Sequence, residues 1–212
     1  MNKRSLLQNA IKSIAALAII TPTTALFTAC TEQKMAFKSV DITGADYARD
    51  FAADGTMVDH NGQARSIKDF AGKVVVLFFG FTQCPDVCPT SMAELAEAKK
   101  LLDKGGKGDG DKVQGLFITL DPERDTLPVL KAYMGNFDPT FLAMRTTPDK
   151  LVDLAKNFKT YYKKMPGRTD TSYSMDHSVG SFVYDTKGNV RLYTRHGSGA
   201  EALASDLKLL LN

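Results

Sequence analysis

Val74-Val75-Val76-Leu77-Phe78-Phe79-Gly80 is an unbroken run without one polar side chain. A strand with one face in water alternates apolar and polar residues, so a run like this demands cover on both faces. It reads as a buried parallel strand, and that commits the chain to an α/β architecture with helices flanking the sheet. Open α/β sheets place their chemistry outside the carboxyl ends of such strands. Just beyond that end stand Cys84-Pro85-Asp86-Val87-Cys88-Pro89. Three residues separate the cysteines, one more than in the redox motif of ordinary thioredoxins, which brings in metal binding beside thiol exchange.

The rest of the pattern fills out the fold. Met57-Val58-Asp59 and Gln63-Ala64-Arg65 flank an Asn61-Gly62 turn and predict an N-terminal hairpin, with His60 exposed at its tip. After the core strand a helix carries Met92, Leu95, Ala98 and Leu102 on one face. Pro89 would crowd a helix begun at Pro85, so the expected start is Pro89 with Cys88 at the cap. Lys104–Lys112 reads as a flexible glycine-rich loop; it lacks the spacing and the Ser or Thr of a phosphate loop. Val113–Leu120 is a second core strand, and Asp125 or Thr126 caps the helix after Asp121-Pro122-Glu123-Arg124. A short strand over Leu142–Arg145 and a helix opened by Thr147-Pro148 follow. Ser181–Tyr184 and Val190–Thr194 form a late hairpin, and Ala200–Leu211 is an amphipathic closing helix. Between them Thr160–Ser178 shows no period and reads as an inserted loop before the last strands; it carries His177. The expected class is α/β, a central mixed sheet flanked by helices, with parallel core strands and antiparallel additions.

The amino terminus has the form of an export signal. Lys3 and Arg4 precede the apolar stretch Ile14–Ile20, which is short for a bilayer span and is followed by small residues up to Ala29-Cys30. Leu26-Phe27-Thr28-Ala29-Cys30 resembles a bacterial lipobox, with Phe27 where an aliphatic residue is usual. On that reading residues 1–29 are a lipoprotein signal peptide, Cys30 carries the lipid, 30–45 is a tether and 46–212 is the folded domain. The alternatives are cleavage by the ordinary peptidase or an uncleaved anchor. The first 29 residues hold three basic side chains and no acid, so the remainder has 24 basic against 24 acidic residues. A chain this balanced lacks the basic face of a nucleic-acid binder.

With Cys30 given to a lipid, Cys84 and Cys88 remain as a local pair in a compartment where disulfides persist. An inert staple across so short a loop gains little, because little unfolded-chain entropy is removed. Two readings stay open. In one the pair cycles between dithiol and disulfide by exchange with a partner. In the other, two thiolates and a third donor bind a soft ion: Cu(I) or Cu(II), or zinc with a water in the fourth place. Among the histidines, His60 is a turn residue and His196 a surface or capping residue, whereas His177 precedes the strand Ser181–Tyr184, about where thioredoxin-like folds set the cis-proline loop against the active-site thiols. Met175 offers a thioether but is more often packing.

Gly80-Phe81-Thr82-Gln83-Cys84-Pro85-Asp86-Val87-Cys88-Pro89-Thr90, Asp121-Pro122-Glu123-Arg124-Asp125-Thr126 and Asp176-His177-Ser178 together resemble the Sco/SenC family of copper-binding proteins, over about residues 45–212. The resemblance implies a thioredoxin-like fold and one copper ion, Cu(I) or Cu(II), held by Cys84, Cys88 and His177. It implies a membrane-tethered metallochaperone on the periplasmic side, serving the copper-site subunit that carries the dinuclear centre of cytochrome c oxidase. Another periplasmic copper chaperone or a thiol reductant would be a further partner. The alternative is a metal-independent thiol–disulfide oxidoreductase using Cys84 and Cys88 as its catalytic pair; a peroxidase-like relative would use a single thiol in a different motif. Asp121 and Asp125 read as loop-shaping residues, and Asp86 as an outer or axial donor.

Overall fold

A computed structural model describes the chain over residues 36–49, 57–104, 106–169 and 172–211. The expected signal segment, Cys30 and the first part of the tether lie outside the described residues. In chain order the strands are β1 (Val40–Asp41), β2 (Val58–Asp59), β3 (Val74–Gly80), β4 (Val113–Thr119), β5 (Leu142–Arg145), β6 (Tyr162–Pro166), β7 (Tyr173–His177), β8 (Gly180–Tyr184) and β9 (Val190–Arg195). The helices are α1 (Val87–Asp103), α2 (Leu127–Met134), α3 (Pro148–Asn157) and α4 (Ala200–Leu211).

β3 and β4 are buried at every position and lie side by side in parallel, as unbroken apolar runs require. β5 joins parallel to β4, while β8 runs antiparallel to β3 and β9 antiparallel to β8. The sheet order is β1-β9-β8-β3-β4-β5-β2. Val74, Val76 and Phe78 face a core filled by α1, α2 and α4, through Met92, Leu95, Leu130, Leu203 and Leu207. Val75, Leu77 and Phe79 point the other way, onto Leu151 and Leu154 of α3 and onto Phe158. The result is a three-layer α/β fold of the thioredoxin-like kind.

Five local readings differ from the sequence expectation. α1 begins at Val87, with Asp86 as its N-cap, so Cys88 and Pro89 lie inside the first turn. The first N–H groups of a helix have no partner within it, so Pro89 there forfeits nothing; the first bond of the helix runs from Thr90 N to Asp86 O at 3.1 Å. The Asn61-Gly62 turn forms, but its second arm is a single bridge, Val58 to Ala64, and β2 pairs with β5 instead. His60 is half-buried, not exposed: its N–H donates to the Ala143 carbonyl at 2.9 Å and its Nδ1 accepts from Ala143 N–H at 3.1 Å.

Part of the expected tether belongs to the sheet. β1 pairs with β9, and the N–H groups of Lys38 and Ser39 donate to the carboxylate of Asp206 on α4 at 2.7 and 2.8 Å. Asp206 is fully buried, so this anchor comes from a residue far along the chain that no local pattern announces. Finally, Thr160–Ser178 is no loop: β6 and β7 form their own two-stranded antiparallel sheet, with Tyr162 opposite His177. β6 is mostly exposed, so it carries no apolar alternation to betray it.

Gly80 ends β3 beneath the cysteine loop. A Cβ there would stand 2.7 Å from Phe117 Cε2, 2.9 Å from Phe78 Cε1 and 2.9 Å from Cys88 Sγ. Gly80→Ala should therefore lower stability by about 1–3 kcal/mol, as overpacking does, and displace the buried thiol. A urea midpoint equal to that of the wild type would show that the space is not needed.

Candidate metal centre

The chain leaves β3 through Phe81 and turns, Cys84 N–H donating to the Phe81 carbonyl at 3.2 Å. The turn is held from across the fold. Thr82 donates from its N–H (3.1 Å) and its hydroxyl (2.6 Å) to the buried carboxylate of Asp125, which also accepts from Thr119 Oγ1. Cys84 is half-buried in this turn, and Cys88 is fully buried in the first turn of α1. Both are free thiols.

The two thiols are electrostatically unequal. Cys88 N–H points at Cys84 Sγ, 3.4 Å away. The Cys88 side chain as donor, with the N–H groups of Asp86 and Cys88, outweighs burial and brings the Cys84 pKa down to about 4. The same bond and its own burial push the Cys88 thiol up. The pair thus holds one proton, on Cys88, with Cys84 as thiolate at a helix amino terminus.

His177 is the last residue of β7. Its Nδ1 lies 2.7 Å from the Ser178 carbonyl, which can only accept, so Nδ1 carries the proton. That leaves the Nε2 lone pair facing the thiols, with Cys88 Sγ at 3.7 Å. The rings of Phe78 and Phe81 hold the imidazole edge-on, at centroid distances of 6.2 and 5.9 Å. Cys84 Sγ, Cys88 Sγ and a ring nitrogen of His177 all lie within 4.8 Å of one another. Donors sharing one ion at roughly 2.0–2.3 Å stand about 3.5–4.0 Å apart, so closure by less than about 1 Å completes a three-donor set. Two thiolates and a correctly tautomerised imidazole fit a soft or borderline ion, copper above all.

The other candidates fall outside this cluster. His60 docks its turn on β5, and His196 Nδ1 meets Ser91 Oγ at 3.0 Å on α1. Met175 is partly buried against both cores, and Asp86 is exposed with Thr90 Oγ1 at 3.5 Å. Asp121 and Asp125 shape the loop, as expected: Asp121 binds Arg124 Nε and the Tyr173 hydroxyl.

Three residues near the site had no role in the sequence reading. Arg124 donates to Gln83 Oε1 at 3.1 Å and to the Tyr173 carbonyl at 2.9 Å. Tyr173 shares the inward face of β7 with Met175 and His177, a spacing visible only if 173–177 is read as a strand. Tyr133 on α2 buries a hydroxyl with no hydrogen-bond partner among the described residues; burial, and the charge of the thiols, raise its pKa. An intermittently apolar helix gives no signal for such a group.

The SCO1/SenC family model matches residues 43–212. The mitochondrial SCO2 homolog of Bos taurus is 32% identical over 155 residues, 73% of this chain and 58% of that protein. The SCO2-like protein of Rickettsia felis is 34% identical over 144 residues, 68% of this chain and 67% of that protein. The chain therefore spans under two thirds of the bovine relative's length. The structure of Bradyrhizobium japonicum ScoI with copper bound superimposes with a TM-score of 0.65 at 36% identity, covering 73% of this chain and 95% of that one.

The inequality of the thiols gives a pH signature. A group whose pKa is lowered is ionised at neutral pH, so alkylation of Cys84 by iodoacetamide should be nearly flat between about pH 6 and 8 and collapse only toward about pH 4. Cys88 should stay unreactive in the folded protein. An ordinary thiol would instead speed up about tenfold per pH unit over that range, and mass spectrometry of the labelled peptides distinguishes the two.

Proposed function

The chain belongs to the SCO1/SenC family, and on that premise we propose that it is a copper metallochaperone whose cargo is held by Cys84, Cys88 and His177. The observation that carries this is the convergence of those three donors within 4.8 Å, with the histidine tautomer fixed by Ser178. Cys84 meets the ion already as a thiolate, and Cys88 gives up its proton on loading, so uptake releases a proton. His177 supplies the Nε2 lone pair without a change of tautomer. Because Cys84 is only half-buried, a partner's thiolates can reach the cargo from the open side and displace the donors one at a time. The partner we propose is the subunit that carries the dinuclear copper site of cytochrome c oxidase. We further propose that Cys30 is lipidated and tethers the domain to a bacterial membrane on its periplasmic side, the compartment in which such a partner would present its copper site.

One observation favours a second reading, the thiol–disulfide reductase. A thiolate at Cys84 beside a protonated thiol at Cys88 is the pairing that exchange needs. The Cys84 thiolate would attack one sulfur of a partner disulfide, releasing the other as a thiolate that takes up a proton. Cys88, losing its proton, would then attack Cys84 in the mixed disulfide, leaving the partner as dithiol and this pair oxidised.

Titration of the purified protein with copper should give one equivalent and a thiolate-to-Cu(II) absorption band, and His177→Ala should weaken Cu(II) binding by more than about tenfold. Unchanged affinity in that variant removes the three-donor site. Turnover of a model copper-site disulfide without metal would instead favour the reductase. For the anchor, cell fractionation should find the wild type in membranes and Cys30→Ser in the soluble fraction; equal partitioning of both would dispose of the lipid.

A further inference from the structure

The hairpin of β6 and β7 is not hydrogen-bonded into the seven-stranded sheet, and a lone two-stranded hairpin is marginal in water. Met175 and His177 pack it on the core, and most of its hydrogen bonds and ion pairs to the main fold lie toward the end opposite His177. The Tyr173 hydroxyl donates to Asp121 Oδ1 at 2.8 Å. Arg124 Nη1 donates to the Tyr173 carbonyl at 2.9 Å, while its guanidinium lies on the Tyr173 ring with the central carbon 3.5 Å from the centroid. An ion pair between Arg124 Nε and the buried carboxylate of Asp121 closes the triangle. Lys164 Nζ sits 3.8 Å from the same ring centroid and pairs with Glu123 at 2.8 Å.

Along β7 the positions 173, 175 and 177 are half-buried and 174 and 176 exposed, so Tyr173, Met175 and His177 share one face. At about 3.3 Å of rise per residue, the clamp stands roughly 13 Å from the imidazole along a single extended strand. The same loop grips the other half of the site. Arg124 reaches Gln83, the residue before Cys84, and Asp125 holds Thr82. One loop thus sets the height of the histidine strand relative to the cysteine turn.

We propose that Arg124 and Tyr173 are positioning residues for His177, acting with Asp121 to set β7 so that Nε2 faces the thiols, without touching the cargo themselves. The consequence for metal rests on the copper reading above; the geometry does not. Thiolates favour Cu(I), so the two sulfurs carry most of its affinity, whereas Cu(II) draws more on the imidazole. Loosening the clamp should therefore weaken Cu(II) selectively.

The test uses the purified protein with Arg124→Gln and Tyr173→Phe, each followed by two readouts. In the metal-free protein, histidine nitrogen NMR should show His177 in one tautomer in the wild type and tautomer averaging in Arg124→Gln. Cu(II) affinity should fall by about tenfold or more in that variant, with Cu(I) affinity unchanged. Arg124→Gln leaves the buried Asp121 carboxylate without its counter-ion and can cost the fold itself. Tyr173→Phe keeps the ring and the ion pair and removes one hydrogen bond, and should shift both readouts the same way by less. A wild-type histidine spectrum together with a wild-type ratio of Cu(II) to Cu(I) affinity in both variants overturns the proposal. So does an equal loss of both affinities alongside a lowered melting temperature, which marks a merely structural role. If the wild type binds no copper, the copper reading fails, while the metal-free spectra still decide the clamp.

Discussion

The antiparallel pairing of β8 on β3 sets Phe78 opposite Ser181, and the metal centre depends on that register. The cysteines follow Phe78 in the chain and His177 precedes Ser181, so running the two strands in opposite directions brings both groups to one end of the sheet. A parallel partner would have put the histidine at the opposite end, a strand's length away. The register is enforced by burial. Val76 and Phe78 face one core while Leu77 faces the other, and a slip by one residue would exchange them. Hydrophobic packing that has no chemistry of its own therefore decides which donors, 89 residues apart in sequence, meet at 3.7 Å.

The three donors stand on supports of very different stiffness. Cys88 is part of the main core, fixed by α1 and by the close approach of Gly80. Cys84 sits in a turn whose hydrogen bonds run to Asp125, and His177 ends a hairpin outside the main sheet. What unites them is charge. A single proton between the thiols makes one sulfur an anion before any metal arrives, and the Ser178 carbonyl has already chosen the tautomer. Orientation and ionisation are thus largely settled in the metal-free protein, leaving one proton to be expelled on loading.

The legible parts of this chain were those where burial writes a pattern into the sequence. Val74–Gly80 and Leu142–Arg145 have the bounds that their apolar runs indicate, and Pro148 opens α3 where a proline is tolerated. Cys84, Cys88 and His177 come together as their types and positions suggested. What stayed hidden depends on long-range partners or on exposed surface. β1 pairs with β9 beside an anchor from Asp206 to Lys38 and Ser39, and β6 lies in water with nothing to alternate. The start of α1 was misplaced by treating Pro89 as a breaker, when in the first turn of a helix the missing N–H costs no bond. Tyr173 was invisible for the same reason as β7: its role is defined by Asp121 and Arg124, which sit in another loop.

That loop also bears on which ions the site accepts. Carboxylates near a pair of thiolates would ordinarily offer oxygen donors and invite harder cations. Here both oxygens of Asp125 accept from Thr82, one of them from Thr119 as well, and those of Asp121 are taken by Arg124 and Tyr173. Releasing either carboxylate would leave buried donors unsatisfied, a cost of the order of 1–3 kcal/mol for each group. Among the described residues no carboxylate joins the three-donor cluster, which leaves sulfur and imidazole nitrogen as the groups on offer. The acidic residues of the loop therefore favour a soft ion by being occupied: the hydrogen bonds that hold the cysteine turn and the histidine strand in place are the same ones that remove hard donors from the site.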